Sequence, residues 1–289
     1  MKLETKRHSF DRKKYDRELL MDCVFFSEVE RKVVTGQPFC YDFHGIFIQN
    51  SGKAKISIEN ESFSLNRGCI IFLRANQVRE WVAVTTDFSG YLLIFENEFT
   101  ETFFNDDLFV HRFQFFQISQ PPILRCEDQL FSEFVENCKR IGLELNYLRD
   151  DSHHYLRSLL YTMLIRMNRI YIEAYRLSTE LYQDSISLRF RKSLEENIRS
   201  KQRIEDYTEL LKVSRSQLNK ALNKTAGKST AVVIRDRLLT EVKRDLLYSD
   251  KNISDIVYEL GFSDKSNFVR FFKRLTGNTP NEFRSIYRK

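Results

Sequence analysis

The spacing of apolar residues changes once along this chain, near Pro121-Pro122, and this change limits the folds that the chain can adopt. Before it, short stretches alternate apolar and polar residues, as at Ala54, Ile56 and Ile58, between turns rich in Gly and Asn. After it, apolar residues recur three and four positions apart, which is the pattern of one helix face. The sequence therefore predicts an α+β protein with strands first and helices second.

Strand-like stretches recur in the first part of the chain at intervals of roughly 8–12 residues. They are Phe43–Gln49, Lys53–Glu59, Ser62–Leu65, Cys69–Leu73, Trp81–Val84 and Tyr91–Phe95. Short strands at even spacing predict a β-sandwich or a small barrel. Alternation within a strand is expected to turn one face to the core and the other to water.

Two long amphipathic stretches follow the strands, Glu127–Tyr147 and Ser152 to about Leu181. They predict a helical hairpin at about 127–182, which either caps the strands or forms a dimer interface. The hydrophobic pattern then lapses at Gln183–Ser187, which predicts a short linker. We therefore expect two domains, residues 1–182 and 183–289, and this number suits the length of the chain.

The formal net charge of +6 is unevenly distributed. Residues 186–289 carry 23 Lys and Arg against 13 Asp and Glu, a net charge of +10, whereas residues 1–185 carry 23 against 27, a net charge of −4. A basic domain joined to an acidic one is typical of a nucleic-acid-binding protein. The charge alone fits an ordinary solvated surface equally well.

Several classes of protein are excluded early. The longest apolar runs hold five residues, too few to span a bilayer, and the basic N-terminal stretch lacks the apolar core of a secretory signal. Five widely spaced cysteines disfavour a disulfide framework and a four-cysteine zinc site. We therefore expect a cytoplasmic protein without membrane association.

The pattern beyond the linker is helical. The predicted helices are Arg189–Ser200, Ile204–Lys212, Arg215–Ala226, Ser229–Ser249, Ile253–Leu260 and Lys265–Thr276, with a last short helix that begins at Pro280. The second and third helices, and the fifth and sixth, are each predicted to form a helix-turn-helix with cations on the outer face of its second helix. The long fourth helix connects the two pairs. Ser214 is expected to cap the third helix, and Gly261 and Gly277 to supply turns with positive φ.

The second helix of each pair keeps its apolar residues on one side and polar residues on the other. In the first pair, the residues left outside are Arg215, Ser216, Asn219, Lys220 and Asn223. In the second pair they are Lys265, Ser266, Asn267, Val269, Arg270 and Lys273. Arg and Lys suit guanine and Asn suits adenine, so these helices have the composition of base-reading helices.

The stretch from Ile253 to Arg284 reads I-S-D-I-V-Y-E-L-G-F-S-D-K-S-N-F-V-R-F-F-K-R-L-T-G-N-T-P-N-E-F-R. It resembles the C-terminal signature of AraC-type (AraC/XylS) transcription regulators, in which I-A-x-x-x-G-F leads to F-x-x-x-F-K, then to G-x-[ST]-P and F/Y-R. The stretch Val213–Ser229 is similar to the first helix-turn-helix of that family, and the resemblance covers about 100 residues. Val242 and Val257 depart from it, since the family usually has Ala there.

The resemblance implies that both recognition helices enter successive major grooves of double-stranded DNA. The implied base-reading residues are Arg215, Ser216, Asn219 and Lys220 in the first helix and Lys265, Ser266, Asn267 and Arg270 in the second. The implied phosphate contacts are Lys224, Lys228 and Lys273. Arg284 is expected to be an ion-pair partner within the domain rather than a base reader.

The resemblance also implies a cupin-like N-terminal domain that binds a small effector and is followed by dimerising helices. A transcription activator that acts as a homodimer, with RNA polymerase as a further partner, is therefore expected. Candidate residues for the effector pocket are Tyr41, His44, Arg74, Arg79, Trp81 and Tyr91. A dimeric regulator that needs no ligand is the alternative.

An enzyme of the metal-dependent cupin type is a further alternative. Such a site needs a His-x-His pair with a Glu and another His around one metal ion. The chain has five histidines, at positions 8, 44, 111, 153 and 154, and no His-x-His. We therefore expect neither catalysis nor a metal or other cofactor.

Overall fold

The computed structural model describes residues 6–9, 11, 14–15, 19–26, 35–59, 61–104, 108–117, 120–178 and 184–287. The chain divides after Leu177 into an N-terminal unit and a C-terminal unit. The predicted domain boundary, between residues 182 and 183, lies outside the described residues. The predicted order of strands followed by helices is confirmed.

In the described part of the N-terminal unit, the strands form two five-stranded sheets. The strands are β1 (Lys6–His8), β2 (Met21–Phe25), β3 (Phe39–Tyr41), β4 (His44–Ser51), β5 (Lys53–Ile58), β6 (Glu61–Asn66), β7 (Cys69–Leu73), β8 (Arg79–Val84), β9 (Ser89–Phe95) and β10 (Ile123–Arg125). One sheet has the order β1-β3-β8-β5-β6 and the other β10-β7-β4-β9-β2. Within the described ranges neither sheet closes into a barrel, so the sandwich is the correct one of the two predicted architectures.

Burial along the strands follows from their sequences. In β5, the apolar residues Ala54, Ile56 and Ile58 are buried between more exposed polar residues, as their alternation predicts. The apolar run of β7 is buried along its whole length. Its residues alternate between a core shared with β5 and β8 and a second core shared with the helical hairpin.

The helical hairpin consists of α2 (Asp128–Asn146) and α3 (Ser152–Ala174); the shorter α1 (Asn97–Phe104) precedes it. Glu133 lies 2.6 Å from Arg166, and Glu144 accepts a hydrogen bond from Ser152, so the two helices are antiparallel. Their apolar faces pack on the second sheet, in the same core as the inner residues of β4, β7 and β9.

The predicted end of α3, at Leu181, is wrong. The helix ends at Ala174, and the chain turns away at Arg176, which has a left-handed φ of 51°. The amide of Leu177 then donates to the carbonyl of Ile172, which satisfies one of the last carbonyl groups of the helix. The spacing of apolar residues alone does not reveal where the helix ends, because no Gly or Pro lies near Ala174.

Within residues 184–287, the C-terminal unit has seven helices. They are α4 (Ser185–Asn197), α5 (Ile204–Leu211), α6 (Arg215–Ala226), α7 (Thr230–Tyr248), α8 (Ile253–Glu259), α9 (Lys265–Thr276) and α10 (Pro280–Tyr287). The predicted linker Gln183–Ser187 is wrong at its C-terminal end, because Asp184 caps α4 by accepting the amide of Ser187. None of the described helices combines the length and the apolar character that a bilayer span requires.

Candidate DNA-binding interface

The first helix-turn-helix consists of α5 and α6. Lys212 ends α5 in the left-handed conformation, with φ at 54°. Ser214 caps α6, as predicted: its Oγ accepts the amide of Gln217 at 3.2 Å, and Gln217 Oε1 accepts the amide of Ser214 at 2.8 Å. Leu218 and Leu222 are fully buried, which fixes the rotation of α6 and turns its polar face outward.

The second helix-turn-helix consists of α8 and α9. Gly261, with φ at 64°, supplies the predicted turn, and Gly277, with φ at 81°, ends α9. Asp264 caps α9 by accepting the amide of Asn267 at 2.8 Å. Phe268 and Phe272 are fully buried and fix the rotation of α9.

The predicted base-reading and phosphate-contacting residues of the two helices lie mostly on their open faces. Exposed are Arg215, Ser216, Lys220, Lys224, Lys265, Ser266, Asn267, Arg270 and Lys273. Neither α6 nor α9 contains an Asp or Glu, so each presents an excess of positive charge. The remaining two predicted residues, Asn219 and Lys228, are half-buried.

Asn219 has a second role that the sequence pattern does not show. Its Oδ1 accepts hydrogen bonds from the backbone amide of Thr230, at 3.0 Å, and from the hydroxyl of Thr230, at 2.7 Å. It thereby caps α7, since Ser229 at the N-cap position makes no side-chain cap bond. A bidentate contact with adenine needs the same oxygen. The expected adenine contact of Asn219 is therefore incompatible with this conformation.

Several of the predicted DNA-contacting residues, exposed or half-buried, make local polar contacts. Arg215 lies 3.4 Å from Glu205, and Lys228 lies 3.0 Å from Asp236. Arg270 donates to Asn267 Oδ1 at 2.9 Å. Ion pairs at such exposed positions are weak, so a phosphate or a base edge can replace them at small cost.

Asp264 belongs to this face, although it is not among the residues expected there from the sequence. Its second oxygen accepts a hydrogen bond from Asn267 Nδ2 at 2.7 Å, and Ser263 accepts another from the same amide. The pKa of Asp264 is lowered chiefly by the hydrogen bond from the backbone amide of Asn267. Its position just before a helix with Asn three residues on is a capping signal that could have identified it.

One hydrophobic core holds both helix-turn-helix pairs. It includes Leu218 and Leu222 of α6, Phe268 and Phe272 of α9, and Val242 of the connecting helix α7. The two valines that depart from the AraC-type pattern, Val242 and Val257, are both buried in it.

Arg284 contributes to the domain from α10. Its guanidinium donates to the carbonyls of Leu246 and Lys251 at 2.9 and 2.8 Å. Arg284 therefore acts within the domain, as expected, but these contacts are with backbone carbonyl groups and not the expected ion pair.

The predicted effector residues of the N-terminal unit separate into two sets. Arg79 donates to the carbonyl of Arg74 at 2.9 Å, and its guanidinium lies over the ring of Tyr41 at 5.0 Å. His44 is close enough to both arginines for their charges to influence it. Tyr41, Arg74 and Arg79 are therefore in contact, and His44 lies near them with its ring packed against Phe95 and Phe116.

Trp81 and Tyr91 lie elsewhere. Trp81 is buried in an aromatic cluster with Phe26, Phe47 and Phe88, where it fills the core between the sheets. Tyr91 pairs with Ile48 of β4, four positions along that strand from His44. The structure does not bring these two residues into the group around Arg79.

Arg79 is buried and His44 is half-buried, and each has one buried nitrogen without a hydrogen bond. Arg79 Nη1 and His44 Nδ1 have no hydrogen-bond partner among the described residues. Burial, with the nearby charges of His111, Arg74 and Arg79, lowers the pKa of His44 to about 3. Burial also lowers the pKa of Arg79 to about 10. Where side chains are described, no group of three or more His, Cys, Asp and Glu residues is arranged to hold a metal ion.

Comparison with known proteins identifies the C-terminal region. The sequence profile of a family described as "Helix-turn-helix domain" matches residues 207–286. Over 63 residues the chain is 38% identical to the HTH-type transcriptional activator RhaS of Yersinia pestis, a match that covers 22% of this chain and 23% of RhaS. Over 81 residues it is 31% identical to an uncharacterized HTH-type transcriptional regulator of Staphylococcus aureus, a match that covers 28% of this chain. That match spans 11% of the staphylococcal relative's length.

Among solved structures, ToxT from Vibrio cholerae is similar over 93% of this chain and 99% of its own, with 15% sequence identity and a TM-score of 0.44. The profile match covers α6 and α9, the capped second helices of both helix-turn-helix pairs. The chain therefore carries, in its C-terminal unit, the tandem helix-turn-helix domain of AraC/XylS-type transcription regulators.

Proposed function

We propose that this protein is a sequence-specific DNA-binding transcription regulator whose two recognition helices enter successive major grooves. The observation that carries this proposal is the pair α6 and α9, which lack acidic residues and expose Arg215, Lys220 and Arg270 from one shared core. Arg and Lys on such faces donate to guanine in the major groove.

The base-reading and phosphate-contacting residues divide by their position on the helices. Bases are read by Arg215, Ser216, Lys220, Lys265, Ser266, Asn267 and Arg270. Phosphates are contacted by Lys224, Lys228 and Lys273. Asn219 takes part in reading with its amide nitrogen, because its oxygen caps α7. Phosphate contacts position the protein and give the binding a strong dependence on salt.

Two matched variants test this division on an operator selected by the full chain from random DNA. Arg270→Ala should weaken the preference for one base pair by about 1–3 kcal/mol. Lys273→Ala should instead weaken binding to all sequences alike and reduce the slope of log affinity against log salt by about one. Both residues are exposed on α9, so neither change is expected to unfold the domain.

Measured affinities that leave the selected sequence and the salt slope unchanged in both variants would contradict the proposal. So would a full chain that selects no sequence from the random library.

We further propose that the regulator is a cytoplasmic homodimer that activates transcription together with RNA polymerase. The helical hairpin supports dimerisation, because its residues Leu143, Tyr147 and Tyr155 keep large apolar surfaces exposed, 64%, 76% and 43%. The similarity of the DNA-binding domain to RhaS, which is named as an activator, supports activation.

A small effector bound at the N-terminal unit is proposed to modulate this activity. The group of Tyr41, His44, Arg74 and Arg79 supports the proposal, because a buried guanidinium with an unused donor suits a polar ligand. A thermal shift of the full chain with defined sugars and organic acids, lost in Arg79→Met, tests this. A melting temperature unchanged by every compound favours the ligand-independent regulator.

A further inference from the structure

The two helix-turn-helix pairs are joined by an ion-pair network as well as by α7. Its centre is Arg199, in the turn between α4 and α5. Arg199 Nη1 lies 2.7 Å from Glu241 Oε2, and Nη2 lies 2.7 Å from Asp245 Oδ2; both acids belong to α7. The same Nη2 lies 3.2 Å from Glu259, the last residue of α8. One guanidinium therefore connects three separate elements of the domain.

Further cations complete the network on α7. Arg237 and Arg244 lie 2.6 and 2.8 Å from Glu241 Oε1. The Glu241 side chain is 4% exposed, and burial alone would raise its pKa, but Arg244 and Arg237 outweigh this effect and lower it to about 2. The carboxylate therefore stays charged at neutral pH.

A second bridge lies three residues after Arg199. Gln202 Nε2 donates to the carbonyl of Leu260, at the start of the turn in the second helix-turn-helix. The backbone amide of Gln202 donates to Asp206 Oδ2, in the first turn of α5, at 3.1 Å. Residues 199–202 thus hold the second helix-turn-helix at one end and lead directly into the first at the other.

The type of contact matters for what this segment can do. Apolar side chains in the shared core favour contact but tolerate some sliding and rotation. A guanidinium that bonds carboxylates on two helices accepts little change in their separation or angle, because its donors have a fixed planar geometry. The two acids on α7 are buried, whereas Arg199 and Glu259 are 40% and 39% exposed. An exposed ion pair adds little net stability, so the contribution of Arg199–Glu259 is to geometry.

We propose that the segment Arg199–Gln202 is a positioning element that fixes the angle between the two recognition helices and thereby the distance between half-sites that the protein accepts in its operator. The proposal rests on the proposed function, since it requires that both helices read DNA. Arg199 and Gln202 act through α8, which carries α9; neither is proposed to touch DNA.

The double variant Gln202→Ala/Glu259→Gln tests this proposal in the full chain. It removes the Gln202 hydrogen bond and the charge of Glu259, which also ends the ion pair of Glu259 with Lys251, just before α8. It keeps the pairs of Arg199 with Glu241 and Asp245, so we expect the fold to be retained. Glu209→Gln is the matched control: it removes one carboxylate from an exposed position on α5, away from this network. Melting temperatures of all three proteins report on folding.

The readout is affinity for operators whose half-sites are separated by the selected distance, by one base pair less and by one base pair more. Wild type and the Glu209→Gln control should lose about tenfold or more in affinity for either altered spacing. The double variant should lose about twofold or less, while keeping the same preferred bases in each half-site.

Two outcomes would overturn the proposal: a folded double variant that discriminates spacing as the wild type does, or one that loses affinity by the same factor for all three operators. Failure of the proposed function is distinguishable, because the wild-type chain would then select no operator at all.

Discussion

At the scale of single residues, Asn219 shows why exposure and residue type do not fully define a reading face. The helical period of α6 places Asn219 beside Arg215 and Lys220, and its type suits adenine. Its oxygen nevertheless caps the next helix through Thr230. The contact crosses eleven residues of chain, so no local pattern in α6 announces it.

Asn219→Ala should therefore lower the free energy of unfolding of the C-terminal unit by about 1 kcal/mol, the usual effect of losing a side-chain cap. Asn223→Ala is the control, because Asn223 is exposed one turn further along the same helix. Denaturant unfolding of the full chain, followed by circular dichroism, measures both. Equal midpoints for the two variants would show that the cap contributes nothing.

At the scale of elements, the close pairing of β4 and β9 depends on a glycine. A Cβ atom at Gly90 would lie 2.4 Å from the carbonyl oxygen of Ile48 and 3.2 Å from the Cα of Gln49. Both are backbone atoms of the neighbouring strand, so the strands would have to separate. By contrast, a Cβ atom at Gly142, within α2, would meet no atom within 4 Å.

These two glycines should respond in opposite directions to alanine. Gly90→Ala should destabilise the N-terminal unit and lower its melting temperature, since it disrupts a central strand pair. Gly142→Ala should raise the stability by about 0.5–1 kcal/mol, because Ala favours a helix over Gly. Calorimetry of the full chain gives both values. A Gly90→Ala protein as stable as Gly142→Ala would contradict the close pairing of β4 and β9.

The elements that the sequence predicts well are those with a sustained period or a clear cap. Alternation identifies β5, and the spacing of Phe268 and Phe272 identifies α9 with its correct bounds. The strands β1, β3 and β10 hold three residues each, too few for alternation to be read, and pairing with distant strands decides their existence. The grouping of His44 with Arg79 follows from the packing of two sheets, which no local pattern contains.

At the scale of the whole chain, the two regions that differ in net charge also have separate hydrophobic cores. The region 186–289, which has a net positive charge, contains one hydrophobic core shared by both helix-turn-helix pairs. The region before it, which has a net negative charge, contains separate hydrophobic cores around the two sheets. A net charge of +10 on the C-terminal region suits a polyanionic partner.

The claim that both recognition helices read DNA is tested most directly by methylation interference with the full chain on its selected operator, since methyl groups at guanine N7 block contacts in the major groove. We predict two clusters of interfering guanines, about 10 base pairs apart on one face of the duplex. Arg215→Ala should abolish interference in one cluster and Arg270→Ala in the other. A single cluster, or two variants that affect the same guanines, would contradict the claim.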